Sequence, residues 1–207
     1  MSRWFLVRHG ETDWNLEGRV QGHSSTPLND TGRLQAKRIG DRLSTVRFAA
    51  AYASDLPRVV ETATAILNSH DTSLQTVMEL REKSYGAWEG KTAKQLEAED
   101  PVSYARLFED NITFAPPGGE SDSDLIDRAS LAVERLKQAH QNDENVLVVS
   151  HGGTIRAILV LLLGLPKEVI WRFYLANGSL SVVNVYAQNA VLDLWNDKSH
   201  LGASYAE

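Results

Sequence analysis

The sequence predicts a three-layer α/β/α fold around a largely parallel sheet, with a small helical insertion. Short apolar runs bounded by turn residues alternate with segments of helical period, as βα units do. The strongest run, Val146–Val149, is continuously apolar, the pattern of a central strand buried on both faces. Length adds a third constraint. At 207 residues the chain suits one generous domain, residues 1–207, carrying a helical insertion or lid at about 86–120.

Trp4–Val7 reads as a buried first strand. Ala36, Ile39, Gly40 and Leu43 then recur at the spacing of an amphipathic helix that starts near Asp30 or Thr31. Ala50–Ala53 is a second, weaker strand. Ser54 or Asp55 suits the N-cap of the next helix, Pro57 fits its first turn, and Val60, Ala63, Ile66 and Leu67 face inward. Leu74–Val77 is a third strand. From Glu79 to Asn111 the pattern changes: Gly86 and Gly90 flank an aromatic-rich loop, Thr92 and Gln95 match a capping box, and Pro101 opens a short helix. Pro116-Pro117-Gly118-Gly119 closes this insertion of roughly 30 residues, a length at which loops are often functional. Ser121 caps a long helix with Leu125, Ala129, Ala132, Val133 and Leu136 on one face. A helix over 154–163 follows the strand Val146–Val149 and stops at Gly164. Leu180–Tyr186 and Val191–Trp195 are two late strands, suited to a hairpin.

Composition narrows the function classes. Hydrophobic residues make up 43% and charged residues 23%, which excludes collagen-like, low-complexity and largely disordered chains. The absence of cysteine removes disulfide frameworks, thiolate zinc sites and a cysteine nucleophile together. With 21 Lys+Arg against 27 Asp+Glu the net charge is −6, so no nucleic acid partner is expected. The longest apolar run, Ala157–Leu165, is half a membrane span, and the apolar N-terminal segment is too short for a signal peptide. A cytoplasmic protein with no membrane partner is the expectation. No metal is expected either, since the histidines and carboxylates lack ligand spacing such as His-Glu-x-x-His.

Two strand ends carry the chemistry. Trp4–Val7 runs into Arg8-His9-Gly10-Glu11-Thr12, and Val146–Val149 into Ser150-His151-Gly152-Gly153. Open α/β sheets bind ligands beyond the carboxyl ends of their strands, so both histidines can converge on one pocket. The second strand leads to Ser54-Asp55-Leu56-Pro57-Arg58 and the third to Leu80-Arg81-Glu82. Two arginines, two histidines and a glutamate at one sheet edge, in an acidic protein, suit a small phosphate ester.

The ordered set of motifs is identified as that of the histidine phosphatase superfamily, the phosphoglycerate mutase-like branch. It runs from Leu6-Val7-Arg8-His9-Gly10-Glu11-Thr12, Trp14-Asn15, Gln21-Gly22 and Thr26-Pro27-Leu28-Asn29 through Ser54-Asp55-Leu56, Arg58 and Leu80-Arg81-Glu82. It ends with Trp88-Glu89-Gly90, Pro117-Gly118-Gly119-Glu120-Ser121 and Ser150-His151-Gly152-Gly153. Pro57 and Val59 depart from the pattern and leave the reach of Arg58 open. The resemblance implies a metal-independent phosphatase of small phosphorylated metabolites with no cofactor. His9 is then the nucleophile, and a covalent phosphohistidine divides one slow displacement into two easier ones. Arg8 and Arg58 favour its neutral form. Which ring nitrogen attacks is not legible. Arg8, Arg58 and His151 would bind the phosphoryl oxygens, with Asn15, Gln21, Gly22 and Gly152 completing the phosphate-binding set; turn chemistry is the other reading of Asn15 and Gln21. Glu82 would protonate the leaving alcohol and then activate water, helped by a pKa raised through burial.

Other residues are read more plainly. Glu11 supports the backbone, His23 fits either a substrate-facing or a surface loop, and His70 and His140 are solvated. His200 belongs to a C-terminal tail that is either free or folded over the cleft. A mutase is the rival activity, disfavoured because Gly90 to Pro116 is short and acidic. A phospho-ligand scaffold is the non-enzymatic rival, and phosphoserine and ribazole phosphate stay open as substrates. The resemblance also suggests a homodimer.

Overall fold

A six-stranded sheet of order β3-β2-β4-β1-β5-β6 forms the centre of the computed structural model, which describes residues 1–110 and 112–202. The strands are β1 (Ser2–Arg8), β2 (Ala50–Ala53), β3 (Leu74–Thr76), β4 (Glu144–Ser150), β5 (Leu180–Val185) and β6 (Ala190–Asp197). The first four pair in parallel; β5 runs antiparallel to β1, and β6 returns beside it as a hairpin. The helices are α1 (Asp13–Leu16), α2 (Asp30–Leu43), α3 (Pro57–Leu67), α4 (Ala93–Glu99), α5 (Pro101–Glu109), α6 (Asp122–Ala139) and α7 (Gly152–Leu163).

Alternation along the strands builds the three layers. Trp4 and Leu6 of β1, with Val146 and Val148 of β4, pack under Ala132, Val133 and Leu136 of α6 and Ile155 and Ile158 of α7. Phe5, Val7, Leu147 and Val149 face the other way, onto Ile39 and Leu43 of α2 and Val59, Ala63 and Ile66 of α3. Both faces of β1 and β4 are therefore apolar, as the continuous run predicts.

Local chemistry corrects several boundaries. Neither Ser54 nor Asp55 caps α3: Leu56 is its N-cap without a side-chain bond, and Pro57 opens the helix. Ser54 and Asp55 are committed elsewhere, to His151 and Arg81. Val59 lies fully inside while Val60 is half-buried, because Val59 shares the i, i+4, i+7 stripe with Ala63 and Ile66. β3 ends at Thr76, and a 3₁₀ turn over Met78–Leu80 separates it from Glu82. α7 starts at Gly152 rather than 154, with His151 as its N-cap. The two glycines sit in the first turn, where helix propensity matters least. His140 is not simply solvated, since it bridges the Tyr52 hydroxyl (2.9 Å) and Glu144 (2.7 Å). His70 is half-buried against the Phe48 ring.

The insertion has a small core of its own. Trp88, Leu96 and Phe114 are buried together, with Tyr104 and Leu107 packed on them. The Thr92–Gln95 capping box is present, and Asp100 caps the helix that Pro101 opens. No helix among the described residues is long and apolar enough to cross a membrane.

Candidate active site

Strand register brings the predicted residues to one edge. Arg8 pairs with Ser150 and Ala53 with Val149, so His9, His151 and Ser54 follow at the same level. Glu82 has no strand to place it. Its segment is held by its carbonyls instead: Ser150 Oγ donates to Leu80 O (2.7 Å), Thr154 Oγ1 to Arg81 O (2.7 Å), and the Arg128 guanidinium to Glu79, Arg81 and Glu82.

A cavity of about 380 Å³ opens at this edge. Arg8, His9, Asn15, Gln21, Gly22, Arg58, Glu82 and Gly152 all line it. His151 is fully buried beside them, its ring 5.2 Å from that of His9.

The hydrogen bonds assign both histidine tautomers. His9 Nδ1 lies 2.7 Å from Gly10 O, and a carbonyl only accepts, so Nδ1 carries the proton and Nε2 the lone pair. Burial, and then the charges of Arg58 and Arg8, hold the His9 imidazole well below its ordinary pKa and so neutral. Arg58 Nη2 donates to His151 Nδ1 (3.2 Å), leaving His151 Nε2–H to donate to Ser54 Oγ (2.9 Å). His151 is likewise pushed well down, by burial first and then by Arg58.

The arginines are anchored, yet each keeps a buried donor free. Arg8 Nη1 donates to Leu175 O (2.6 Å); Arg58 donates to the Gly22 and Ser24 carbonyls and Thr26 Oγ1. The Nε–H of both is buried without a partner. Burial lowers both guanidinium pKa values to about 10, and both stay cationic at neutral pH. Two orphaned N–H groups beside an electron-rich imidazole suit an anion. Pro57 has thus not displaced Arg58.

Glu82 Oε2 accepts from Gly153 N (3.0 Å) and Oε1 from Lys83 N (3.0 Å), which ties the carboxyl group to the first turn of α7. The Gln21 side-chain oxygen accepts from Thr12 and Thr26, and Asn15 Oδ1 closes the α1 capping box. Both side chains thus serve the turn chemistry of their loop while lining the cavity. Gly22 has φ +52°, and a Cβ there would fall 2.1 Å from Glu89 Oε1, which accepts from His23 N and Tyr85 N. His23 Nε2 donates to Glu82 O (2.8 Å), so it supports the glutamate rather than facing the cavity. Glu11 accepts from the Asn29 side chain and backbone, a supporting role. The segment Ser199–Leu201 packs on α2, and His200 Nε2 donates to Gly178 O (2.9 Å).

Sequence reasoning missed three contributors. Arg156 lines the cavity and stacks on Trp171 at 5.1 Å. Its i, i+4 spacing from Gly152 on α7 was the available signal. Asn177 Nδ2 donates to His9 O (3.2 Å) and lies 3.4 Å from Gly10 O, and Arg128 secures Glu82; neither has a local motif. Among the described residues no group of three His, Cys, Asp or Glu side chains is placed to hold a metal ion.

The comparisons agree with this geometry. The family model described as "Histidine phosphatase superfamily (branch 1)" matches residues 4–198. A protein of Arabidopsis thaliana named metal-independent phosphoserine phosphatase is 37% identical over 201 residues, covering 96% of this chain and 82% of that one. The adenosylcobalamin/alpha-ribazole phosphatase of Escherichia coli (strain K12) is 32% identical over 197 residues, covering 95% and 97%. A crystal structure of a putative alpha-ribazole-5'-P phosphatase from Escherichia coli superposes with a TM-score of 0.90 at 32% identity, covering 95% of this chain and 97% of that one.

Proposed function

The chain belongs to the histidine phosphatase superfamily (branch 1), and from that premise we infer that it is a metal-independent phosphatase that hydrolyses small phosphate monoesters through a phosphohistidine on His9. One observation carries the reading: a neutral His9 with Nδ1–H committed to Gly10 O stands beside two buried arginines whose Nε–H groups lack an acceptor.

The steps follow from those groups. The phosphoryl group enters between Arg8 and Arg58, whose free donors take its oxygens and whose charge stabilises the transition state. The Nε2 lone pair of His9 forms the N–P bond as the P–O bond to the alcohol breaks, and Glu82 delivers a proton to the departing oxygen. Glu82, now a carboxylate, takes a proton from water. The water oxygen bonds to phosphorus, the N–P pair returns to His9, and phosphate leaves. His151 acts as a positioning residue: it holds Arg58 by Nδ1 and packs on His9. Asn15, Gln21, Gly22 and Gly152 complete the wall. The cations of Arg8 and Arg58 supply the charge that a metal ion would bring elsewhere.

We keep residues 1–207 as one domain with the insertion as its lid. A homodimer belongs to the same proposal, with the unpaired edge of β6 as the face open to it; sedimentation checks it.

The test is phosphoenzyme trapping in the presence of a chelator. Wild-type protein quenched during turnover of a labelled monoester should carry acid-labile, base-stable label, and His9→Ala should carry none while remaining folded. Turnover that survives in His9→Ala, or that needs added divalent metal, contradicts the assignment.

A further inference from the structure

Part of the cavity wall is apolar and aromatic. Tyr85, Tyr104, Leu107 and Trp171 line it on the lid side. A second cavity of about 400 Å³ continues from there, bounded by Lys83, Tyr85, Leu107, Phe108 and Trp171. Tyr85, Leu107 and Trp171 belong to both walls, so the two spaces adjoin. The rim is apolar and open: Phe108 is 72% exposed and Trp171 42%. Exposed rings at the mouth of a charged pocket mark a ligand contact more than a packing defect.

These rings are fixed from beneath. Lys83 Nζ donates to Asp122 Oδ1 (2.8 Å), and both side chains are 1% exposed. Asp122 Oδ2 accepts from Trp171 Nε1, while the Lys83 ammonium lies 5.4 Å from the centre of the Tyr85 ring. Arg156 stacks on Trp171 and is held by Phe173 O. A buried ion pair recovers little net stability over apolar packing, so its effect here is orientation of two aromatic walls. It also consumes Lys83. Among the described residues the second cavity then offers no unpaired cation to a leaving group's carboxylate, and no carboxylate to its amine. Arg156 stands at the boundary, on the phosphate side of Trp171.

We propose that the second cavity is a leaving-group subsite and that it selects phosphate esters of alcohols bearing an aromatic or similarly flat apolar ring. This rests on the first cavity being the phosphoryl site. The ring packs against Tyr85, Leu107 and Trp171 with Phe108 at its edge, and the ester oxygen stays at Glu82.

Binding and turnover separate the two readings. The folded His9→Ala protein is titrated by calorimetry with 2-phenylethyl phosphate, propyl phosphate and O-phosphoserine, all esters of primary alcohols. The ring should tighten binding at least about tenfold over propyl, the scale of apolar discrimination in a hydrophobic pocket. Trp171→Ala and Phe108→Ala, each made in that background and checked by circular dichroism, should move the ratio toward one. Equal affinities overturn the subsite, as does tighter O-phosphoserine binding, no binding of the ring ester at millimolar concentration, or a ratio that neither substitution changes. Wild-type turnover judges the other reading: a ring preference in binding with no phosphate released from any ester leaves the subsite standing and removes the phosphatase.

Discussion

At the scale of single residues, the site depends on keeping two imidazoles uncharged. His9 and His151 are both buried among guanidinium groups, and both are held well below the ordinary histidine pKa, burial being the largest cause. The sign of the linkage follows. Above pH ~6.5 neither folded nor unfolded chain protonates them; below it the unfolded chain gains protons that the folded one refuses, so stability falls with pH. Each histidine contributes a slope of about 1.4 kcal/mol per pH unit until its depressed folded pKa is reached. Thermal melts of the ligand-free protein should therefore decline from pH 7 to about 5.5, and His151→Gln should flatten the decline. An unchanged melting profile in that variant would contradict the buried neutral pair. His9, Arg8 and Glu82 were legible because each directly follows a strand or short turn in a local motif. Asn177 and Trp171 were not, since only tertiary packing brings them there, and Arg156 had only its i, i+4 spacing from Gly152 to mark it.

Among the elements, α7 sets the clearance of the site. Gly153 N donates to Glu82 Oε2, and a Cβ on Gly153 would fall 2.5 Å from Glu82 Oε1. That oxygen ends a flexible side chain, so Gly153→Ala would push Glu82 aside without straining the backbone. Helix propensity favours alanine by no more than about 1 kcal/mol, which offsets the crowding. Displacement of a proton-transfer group by about 1 Å costs on the order of 100-fold in rate. We expect Gly153→Ala to melt within a few degrees of wild type and to lose kcat by that order with KM little changed. A fully active variant would show that Glu82 does not need this contact. The strands and long helices were readable from period and caps, whereas the starts of α3 and α7 were not. There Ser54 and His151 bond each other instead of serving as side-chain caps. The direction of β5 and β6 relative to β1 was also beyond the sequence, because apolar alternation is the same in either sense.

The whole molecule decides what receives the phosphoryl group. Its net charge is −6, yet Arg8, Arg58 and Arg156 gather at one cavity. Among the described residues the lid adds none of its charge to that cluster: Lys91 pairs with Glu99 (2.7 Å), Arg106 stacks on Phe114, and the wall it presents is Trp88, Ala93, Leu96, Tyr104 and Leu107. A mutase must hold its phosphohistidine closed from water and bind a second anionic group through the cycle. Beyond the two arginines of the phosphoryl site the cavity is lined by Arg156, which is occupied by Trp171 and Phe173 O, and by Arg19, which is occupied by Glu17 and Gly90 O. Water, needing no counter-charge, is the acceptor this cavity admits most readily, with Glu82 beside it to take the proton. Incubation with 3-phosphoglycerate should then be slow, since its carboxylate meets an apolar wall. What turnover occurs should still partition toward inorganic phosphate, well ahead of 2-phosphoglycerate and regardless of added bisphosphoglycerate. Phosphorus NMR of a single reaction resolves all three species, and isomerisation outrunning phosphate release would establish alcohol, rather than water, as the acceptor.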